Sequence, residues 1–173
     1  MTDLTASVAA LMRRVAAEVV MPRYQNLTDD QIEEKAADEL VTIADKESEL
    51  RLNEGLAKLL PEAGIIGEEA CSLDPSVMDN AGTGLKWLVD PIDGTANFAA
   101  GRPPFGLMIA LVDNGEIEAG WLLDPLTDRL CHAQRGKGAT INGEKMVARE
   151  SGAPLPIAGL SFLFADPNNR EAL

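Results

Sequence analysis

Apolar side chains recur at helical spacing in two stretches of the first sixty residues. Between residues 3 and 20 they stand three or four residues apart, and Pro22 follows as a stop signal. The second stretch opens at Asp45 or Lys46 and stops at Pro61. Its inner face carries Leu52, Leu56, Leu59 and Leu60. The spacing predicts two amphipathic helices.

Three short apolar runs each end in carboxylates. They cover residues 40–45, 65–69 and 85–90. Such runs, bounded by Pro, Gly or acidic residues, are typical of buried strands that lead into turns. The polar segment 24–39 predicts a connection that is partly helix and partly loop. The segment 71–84, rich in Asp, Ser and Gly, predicts a loop.

From Phe105 onward the pattern indicates strands joined by tight turns. Asn114 and Gly115 form the residue pair that a type I′ hairpin prefers. The predicted strands cover residues 105–112, 117–123 and 129–134. Helices that precede a largely antiparallel sheet predict an α+β fold, with the two N-terminal helices packed on the sheet.

Two carboxylates lie on the turn that follows the third apolar run. Asp90 and Asp93 are three positions apart, with Pro91 between them and Gly94 behind. Such groups repel each other unless a cation or a shared proton compensates. Hard oxygen ligands suit Mg²⁺, which completes its shell with water and phosphate oxygens. Ordinary turn chemistry is the alternative, but the acids that end the other two runs favour a built site.

The motifs, taken in order, resemble the signature of a known family. The strings are Lys35 with Leu40-Val41-Thr42-x-x-Asp45, Gly67-Glu68-Glu69, Asp90-Pro91-Ile92-Asp93-Gly94-Thr95-x-Asn97-Phe98 and Arg135-Gly136-Lys137-Gly138-Ala139-x-x-Asn142-Gly143. They resemble the inositol monophosphatase family of Mg²⁺-dependent, Li⁺-sensitive phosphomonoesterases. The resemblance covers nearly the whole chain, and the string 90–98 is its most specific part. It implies a sugar-phosphatase-like fold and hydrolysis of a small phosphorylated substrate.

The resemblance also implies roles for particular residues. The implied ligands of two or three Mg²⁺ ions are Glu68, Asp90, Asp93 and the backbone carbonyl of Ile92. Mn²⁺ is the implied substitute ion, and Li⁺ the implied inhibitor. Asp45 and Thr95 are implied to act on the attacking water, and backbone N–H groups near Gly94 and Thr95 to hold the phosphate. A homodimer is implied as the assembly.

Most of these residues also have a plainer structural interpretation. Glu68 suits a solvated loop acid, and Asp45 and Thr95 suit helix N-caps. Lys35, in an acidic segment, has the usual character of a solvated side chain, with electrostatic support of the site as the alternative. The chain's one histidine, His132, lies on a predicted meander strand, where a structural or surface role is expected.

The chain departs from the family pattern in one respect. The family's second half carries a Trp-Asp-x-x-Ala-Gly type motif whose Asp is another metal ligand, and nothing here matches it. We expect residues 1–150 to form an N-terminal α+β phosphatase domain with the metal motifs. Residues 151–173 would begin a second α/β domain that is otherwise missing, with 160–164 as a strand. The alternative function is a catalytically incomplete fragment with weak metal binding or an assembly role, which should expose an apolar seam.

Charge and composition exclude other classes. The formal net charge of −13 argues against nucleic acid, whose partners use Lys and Arg to replace counterions, and against an anionic membrane surface. No apolar run approaches the length of a membrane span. Cys71 and Cys131 lack metal-site spacing, so a reduced protein in the cytoplasm is expected, with a disulfide between them as the alternative.

Overall fold

The computed structural model describes residues 2–36, 39–148 and 152. Its helices are α1 (Thr2–Val15), continued by a π-helical turn (Ala16–Val20), α2 (Ile43–Leu59), α3 (Glu68–Leu73) and α4 (Thr95–Ala99), with 3₁₀ turns at Asp29–Gln31 and Pro75–Asn80. Its strands are β1 (Ile32–Ala36), β2 (Glu39–Thr42), β3 (Gly64–Gly67), β4 (Leu85–Asp93), β5 (Gly106–Asp113), β6 (Glu116–Asp124), β7 (Arg129–Gln134), β8 (Gly138–Ile141) and β9 (Glu144–Lys145).

Both predicted N-terminal helices are present, and their apolar stripes form one core with the sheet. Val8 and Met12 of α1 and Leu52 and Leu56 of α2 are fully buried in the same cluster as Trp87 of β4. Burying each such side chain stabilises the fold by about 1.5–3 kcal/mol. The α+β fold, with helices packed on a sheet, is therefore confirmed.

The large sheet has strand order β3-β4-β5-β6-β7-β8-β9. Its pairs are antiparallel apart from β3 and β4, which run parallel. Successive side chains on a strand point to opposite faces. Val89, Ile109 and Trp121 are paired across β4, β5 and β6 and belong to the core under the helices. Asp90 and Met108, one position along, therefore face the other side of the sheet.

That other face carries a groove of about 830 Å³. Met108, Leu122 and Cys131 line it with other apolar side chains, and Glu68 and Asp90 lie among its lining residues. This groove is therefore predominantly apolar. None of the described helices combines the length and apolar character that a membrane span requires.

The predicted connections hold more regular structure than the sequence indicated. Residues 32–36 form β1, which pairs with β2 in a separate two-stranded sheet. The prediction of helix or loop was wrong here because Glu and Lys have low strand propensity, which pairing overrides. Residues 71–84, predicted as a loop, include the end of α3 and a 3₁₀ turn.

Other predicted boundaries are shifted or lie outside the described residues. The run 40–45 does not stay extended, because β2 ends at Thr42 and α2 begins at Ile43 rather than at Asp45 or Lys46. The expected domain boundary near residue 150 and the strand at 160–164 lie outside the described part of the chain.

Candidate functional site

Two parallel strands deliver acids to one edge of the sheet. Gly67 at the end of β3 pairs with Val89 in β4. Glu68 follows Gly67 and Asp90 follows Val89, so their carboxylates meet at the same place. This proximity is reflected in the pKa of Asp90, which the charges of Glu68, Asp93 and Asp45 all raise. The structure therefore brings together the four carboxylates that the sequence singled out.

The end of β4 is bent by a bulge. Asp90 pairs with Met108 and Asp93 with Gly106, so β4 has one more residue than β5 between these pairs. Pro91 lies inside the bulge, where its missing N–H costs no ladder hydrogen bond. Gly94 follows with φ of +82°, a conformation that L side chains rarely adopt. The bulge and this glycine turn the chain so that the carboxylates of Asp90 and Asp93 lie near each other.

Within the described part of the chain, one oxygen of the Asp90 carboxylate is unsatisfied. Its Oδ1 atom is buried without a hydrogen-bond partner among the described residues. Burial, followed by the charges of Glu68 and Asp93, raises the pKa of Asp90 to about 7. A carboxylate in this position gains from a proton or a cation. This is the electrostatic condition that a divalent metal relieves.

Lys35 provides the positive charge nearest to two of the acids. Its Nζ lies 3.2 Å from Glu68 Oε1 and 2.6 Å from Glu69 Oε2, and its side chain is 14% exposed. Partial burial lowers the pKa of Lys35, but its contacts with Glu69 and Glu68 outweigh burial and raise it overall. Of the two interpretations of Lys35, the structure favours electrostatic support of the acids over a solvated side chain, because β1 brings Lys35 against α3.

Asp45 and Thr95 form a hydrogen-bonded pair across fifty residues of sequence. Thr95 Oγ1 lies 3.0 Å from Asp45 Oδ1 and 2.9 Å from the carbonyl oxygen of Ile92. One hydroxyl hydrogen serves one acceptor at a time, so donation to Asp45 leaves the Ile92 oxygen available. Burial raises the pKa of Asp45, while hydrogen bonds from Thr42 and Thr95 act in the opposite direction.

Neither residue is a helix N-cap, so those plainer interpretations were wrong. Thr42 is the N-cap of α2, and its hydroxyl accepts from the N–H of Ala44. Asp45 is the third residue of that capping box and accepts from the N–H of Thr42 at 2.8 Å. Gly94 occupies the N-cap position of α4, and Thr95 follows it as the first helical residue.

Glu49 belongs to the site region, although the sequence analysis did not single it out. It lies on α2, 6% exposed, and accepts from the backbone N–H groups of Glu69 at 2.7 Å and Ala70 at 3.1 Å. The sequence did carry a signal for Glu49. Position 49 lies one helical turn after Asp45, on the buried stripe of α2 that continues to Leu52. Sequence periodicity alone predicts an apolar residue there.

The residues present fit a hard divalent cation such as Mg²⁺. Among the described residues, no three Asp, Glu, His or Cys side chains converge into a ready-made metal cage. Mg²⁺ does not need one, since it usually takes one or two carboxylates and fills its shell with water and phosphate oxygens. The unpartnered Asp90 oxygen, the nearby carboxylates of Glu68 and Asp93 and the carbonyl of Ile92 are all hard donors.

His132, Cys71 and Cys131 line the same groove as Glu68 and Asp90. His132 is on β7, three strands from β4, and its ring lies 5.1 Å from that of Trp121. This packing agrees with a structural role. Cys71 and Cys131 are free thiols, which excludes the alternative of a disulfide between them in this structure.

The fold, the acids at the ends of two parallel strands and the paired Asp45 and Thr95 define a class of α+β proteins with an acidic site at a sheet edge. The sequence profile of the Inositol monophosphatase family matches residues 1–163. The chain therefore belongs to the inositol monophosphatase family, as its motifs predicted.

Named relatives and solved structures match most of the chain. It is 35% identical over 140 residues to the Nus factor SuhB of Pasteurella multocida, covering 81% of this chain and 51% of that protein. It is 30% identical over 164 residues to the fructose-1,6-bisphosphatase/inositol-1-monophosphatase of Aquifex aeolicus, covering 95% and 60%. The IMPase structure of Thermotoga maritima matches with a TM-score of 0.72 and 29% identity, covering 87% and 55%. The chain thus spans about half the length of these proteins.

Proposed function

We propose that this chain supplies the metal-binding half of a site for Mg²⁺-dependent hydrolysis of a small phosphate monoester. The observation that carries the proposal is the buried, unpartnered Oδ1 of Asp90 beside Glu68 and Asp93. Family membership supports a phosphatase. The Aquifex relative is named for hydrolysis of phosphate esters.

Glu68, Asp90, Asp93 and the Ile92 carbonyl are the proposed metal ligands. Two or three Mg²⁺ ions, when bound, would neutralise phosphate charge, activate a water and stabilise the leaving oxygen. Through the cations that they bind, the carboxylates would hold the reacting phosphate at a fixed place. The net charge of −13 makes this arrangement necessary, since the protein repels a phosphate without a cation.

Asp45 and Thr95 are proposed to orient the attacking water. When Thr95 donates its hydrogen to Asp45, its oxygen keeps lone pairs that would accept a hydrogen from a water molecule. That contact would aim the water's own lone pair at phosphorus. The backbone N–H groups of Gly94 and Thr95, at the first turn of α4, have no acceptor within the helix and would hold phosphate oxygens.

A binding role is the second candidate. The chain spans 51% of the Pasteurella relative, which is named a Nus factor rather than an enzyme. An incomplete catalytic site would leave weak metal binding and an assembly role. In either case we propose a cytoplasmic protein that forms a homodimer, with no nucleic-acid or membrane partner.

Phosphate release separates the two candidates. The substrates are inositol monophosphate, histidinol phosphate, fructose 1,6-bisphosphate and phosphoadenosine phosphate, each with Mg²⁺ and with EDTA. This chain and a form extended to the length of its relatives are assayed in parallel. We expect Mg²⁺-dependent release of phosphate from at least one substrate by the extended form, abolished by Asp90→Asn. Release that survives EDTA, or none from any substrate, would contradict the proposed enzyme.

A further inference from the structure

Glu49 is an acid that the proposed chemistry does not use, yet both of its carboxylate oxygens accept hydrogen bonds. Oε2 lies 2.7 Å from the N–H of Glu69, and Oε1 lies 3.1 Å from the N–H of Ala70. These are N–H groups of the first turn of α3, which lack acceptors within the helix. Gly67, the N-cap residue of α3, has no side chain to cap them. Glu49 thus supplies the cap from a different helix.

Packing around Gly67 shows that the contact is built for a carboxylate. A Cβ atom at position 67 would collide with the Glu49 carboxyl group. Gly67 has φ of −100°, which any residue adopts, so backbone conformation does not require glycine here. The absence of a side chain makes room for Glu49 instead.

Helix α2 thereby reaches both proposed functional turns. Asp45 contacts Thr95 in the turn after β4, and Glu49, four residues later, contacts the turn after β3. Residues at this spacing lie on the same helix face. Glu68 is the first residue of α3, so the direction of its side chain depends on the backbone that Glu49 holds.

We propose that Glu49 is a positioning residue that fixes the first turn of α3 and so aims Glu68 at Asp90. The role in metal binding rests on the proposed function; the role in holding the turn does not. The hydrogen bonds of Glu49 go to the backbone of α3, and its charge also interacts with Glu68 and Lys35. Partners of metal ligands typically change metal affinity by about 10–100-fold when removed.

The test compares Glu49→Gln with Glu54→Gln. The first keeps the shape of the side chain but turns an NH₂ group toward one of the two N–H donors. The second makes the same change at an exposed acid of the same helix. Gly67→Ala displaces the Glu49 carboxyl group without changing Glu49 itself. It therefore tests the same contact even if Glu49→Gln folds poorly. Mn²⁺ affinity is measured by calorimetry, and amide hydrogen exchange is measured by NMR on the metal-free proteins.

We expect Glu49→Gln and Gly67→Ala each to weaken Mn²⁺ affinity about tenfold and to speed exchange at residues 69–73 about five- to tenfold. Their double variant should be no worse than the stronger single one, because both break one contact. Glu54→Gln should match the parent in both measurements. Unchanged exchange at 69 and 70, or a uniform increase across the protein, would overturn the proposal. If the parent binds no Mn²⁺, the proposed function fails, and the exchange pattern alone decides whether Glu49 holds the turn.

Discussion

Asp90 shows how a single residue can be held in an unfavourable state. The bulge in β4 and the partial burial of its side chain leave Oδ1 without a hydrogen-bond partner in the part of the chain that the structure describes. Glu68 and Asp93 add repulsion, and the pKa of Asp90 rises from 3.8 to about 7. At pH values between these two pKa values, the metal-free folded protein therefore keeps a proton on Asp90 that the unfolded chain has released.

This difference predicts a pH dependence of stability. Because the folded pKa of Asp90 is raised, the contribution of Asp90 to stability is greatest at low pH and is lost as pH rises through about 7. Between pH 5 and pH 8 in EDTA, the parent should lose about 1–2 kcal/mol more unfolding free energy than Asp90→Asn, allowing for solvent screening. Urea unfolding at both pH values measures it. A parent that loses no more than Asp90→Asn would contradict the assignment.

Thr95 is the residue where a contribution to stability and a contribution to chemistry can be separated. Thr95→Ala leaves the carboxylates in place, so metal affinity should stay nearly unchanged. In an active extended form, turnover should fall about 100-fold, because the water loses its orientation. Stability should fall by about 1 kcal/mol, since Asp45 loses a donor. Thr95→Ser keeps the hydroxyl and is the control. Normal turnover in Thr95→Ala would remove Thr95 from the catalytic residues.

At the scale of the elements, the turn between β4 and α4 is the most constrained. Gly94 has φ of +82°, and a Cβ there would lie 2.9 Å from the carbonyl oxygen of Pro104. Asn97 Nδ2 donates to the same oxygen at 2.8 Å. The chain leaving α4 is therefore held against the turn that carries the proposed phosphate-binding N–H groups.

Replacing Gly94 should cost more than its backbone conformation alone. Gly136 also has a positive φ, +70°, but nothing lies within 4 Å of its Cβ position. Gly136→Ala should therefore cost about 1 kcal/mol from the left-handed conformation alone. Gly94→Ala should cost about 2–3 kcal/mol because the steric contact is added. Urea denaturation of both variants measures this difference. Equal costs would show that Pro104 yields without penalty.

The elements that the sequence predicted are those with local signals. Asn114 and Gly115 fix a hairpin, and both have positive φ in the structure. β1 was missed because its charged residues are paired only through tertiary contact with β2. Glu49 was missed for a related reason, since its partners are backbone groups twenty residues away. The burial of Glu49 is explained only once these backbone N–H donors are known.

At the scale of the whole molecule, charge and topology act together. A net charge of −13 disfavours a phosphate ligand. The fold concentrates four acids at one sheet edge, because parallel β3 and β4 end together and α2 begins beside them. The motif strings predicted which acids these are. Their mutual distances depended on strand order, which the sequence alone did not give.

Calorimetric titration with Mn²⁺ and Mg²⁺ tests most directly whether this edge is a metal site. The variants are Asp90→Asn and, as control, Asp113→Asn, which makes the same charge change at the opposite end of the β4–β5 pair. We predict binding by the parent and by Asp113→Asn, and affinity at least about tenfold weaker in Asp90→Asn. Equal affinity in all three proteins, or no binding by the parent, would contradict the account.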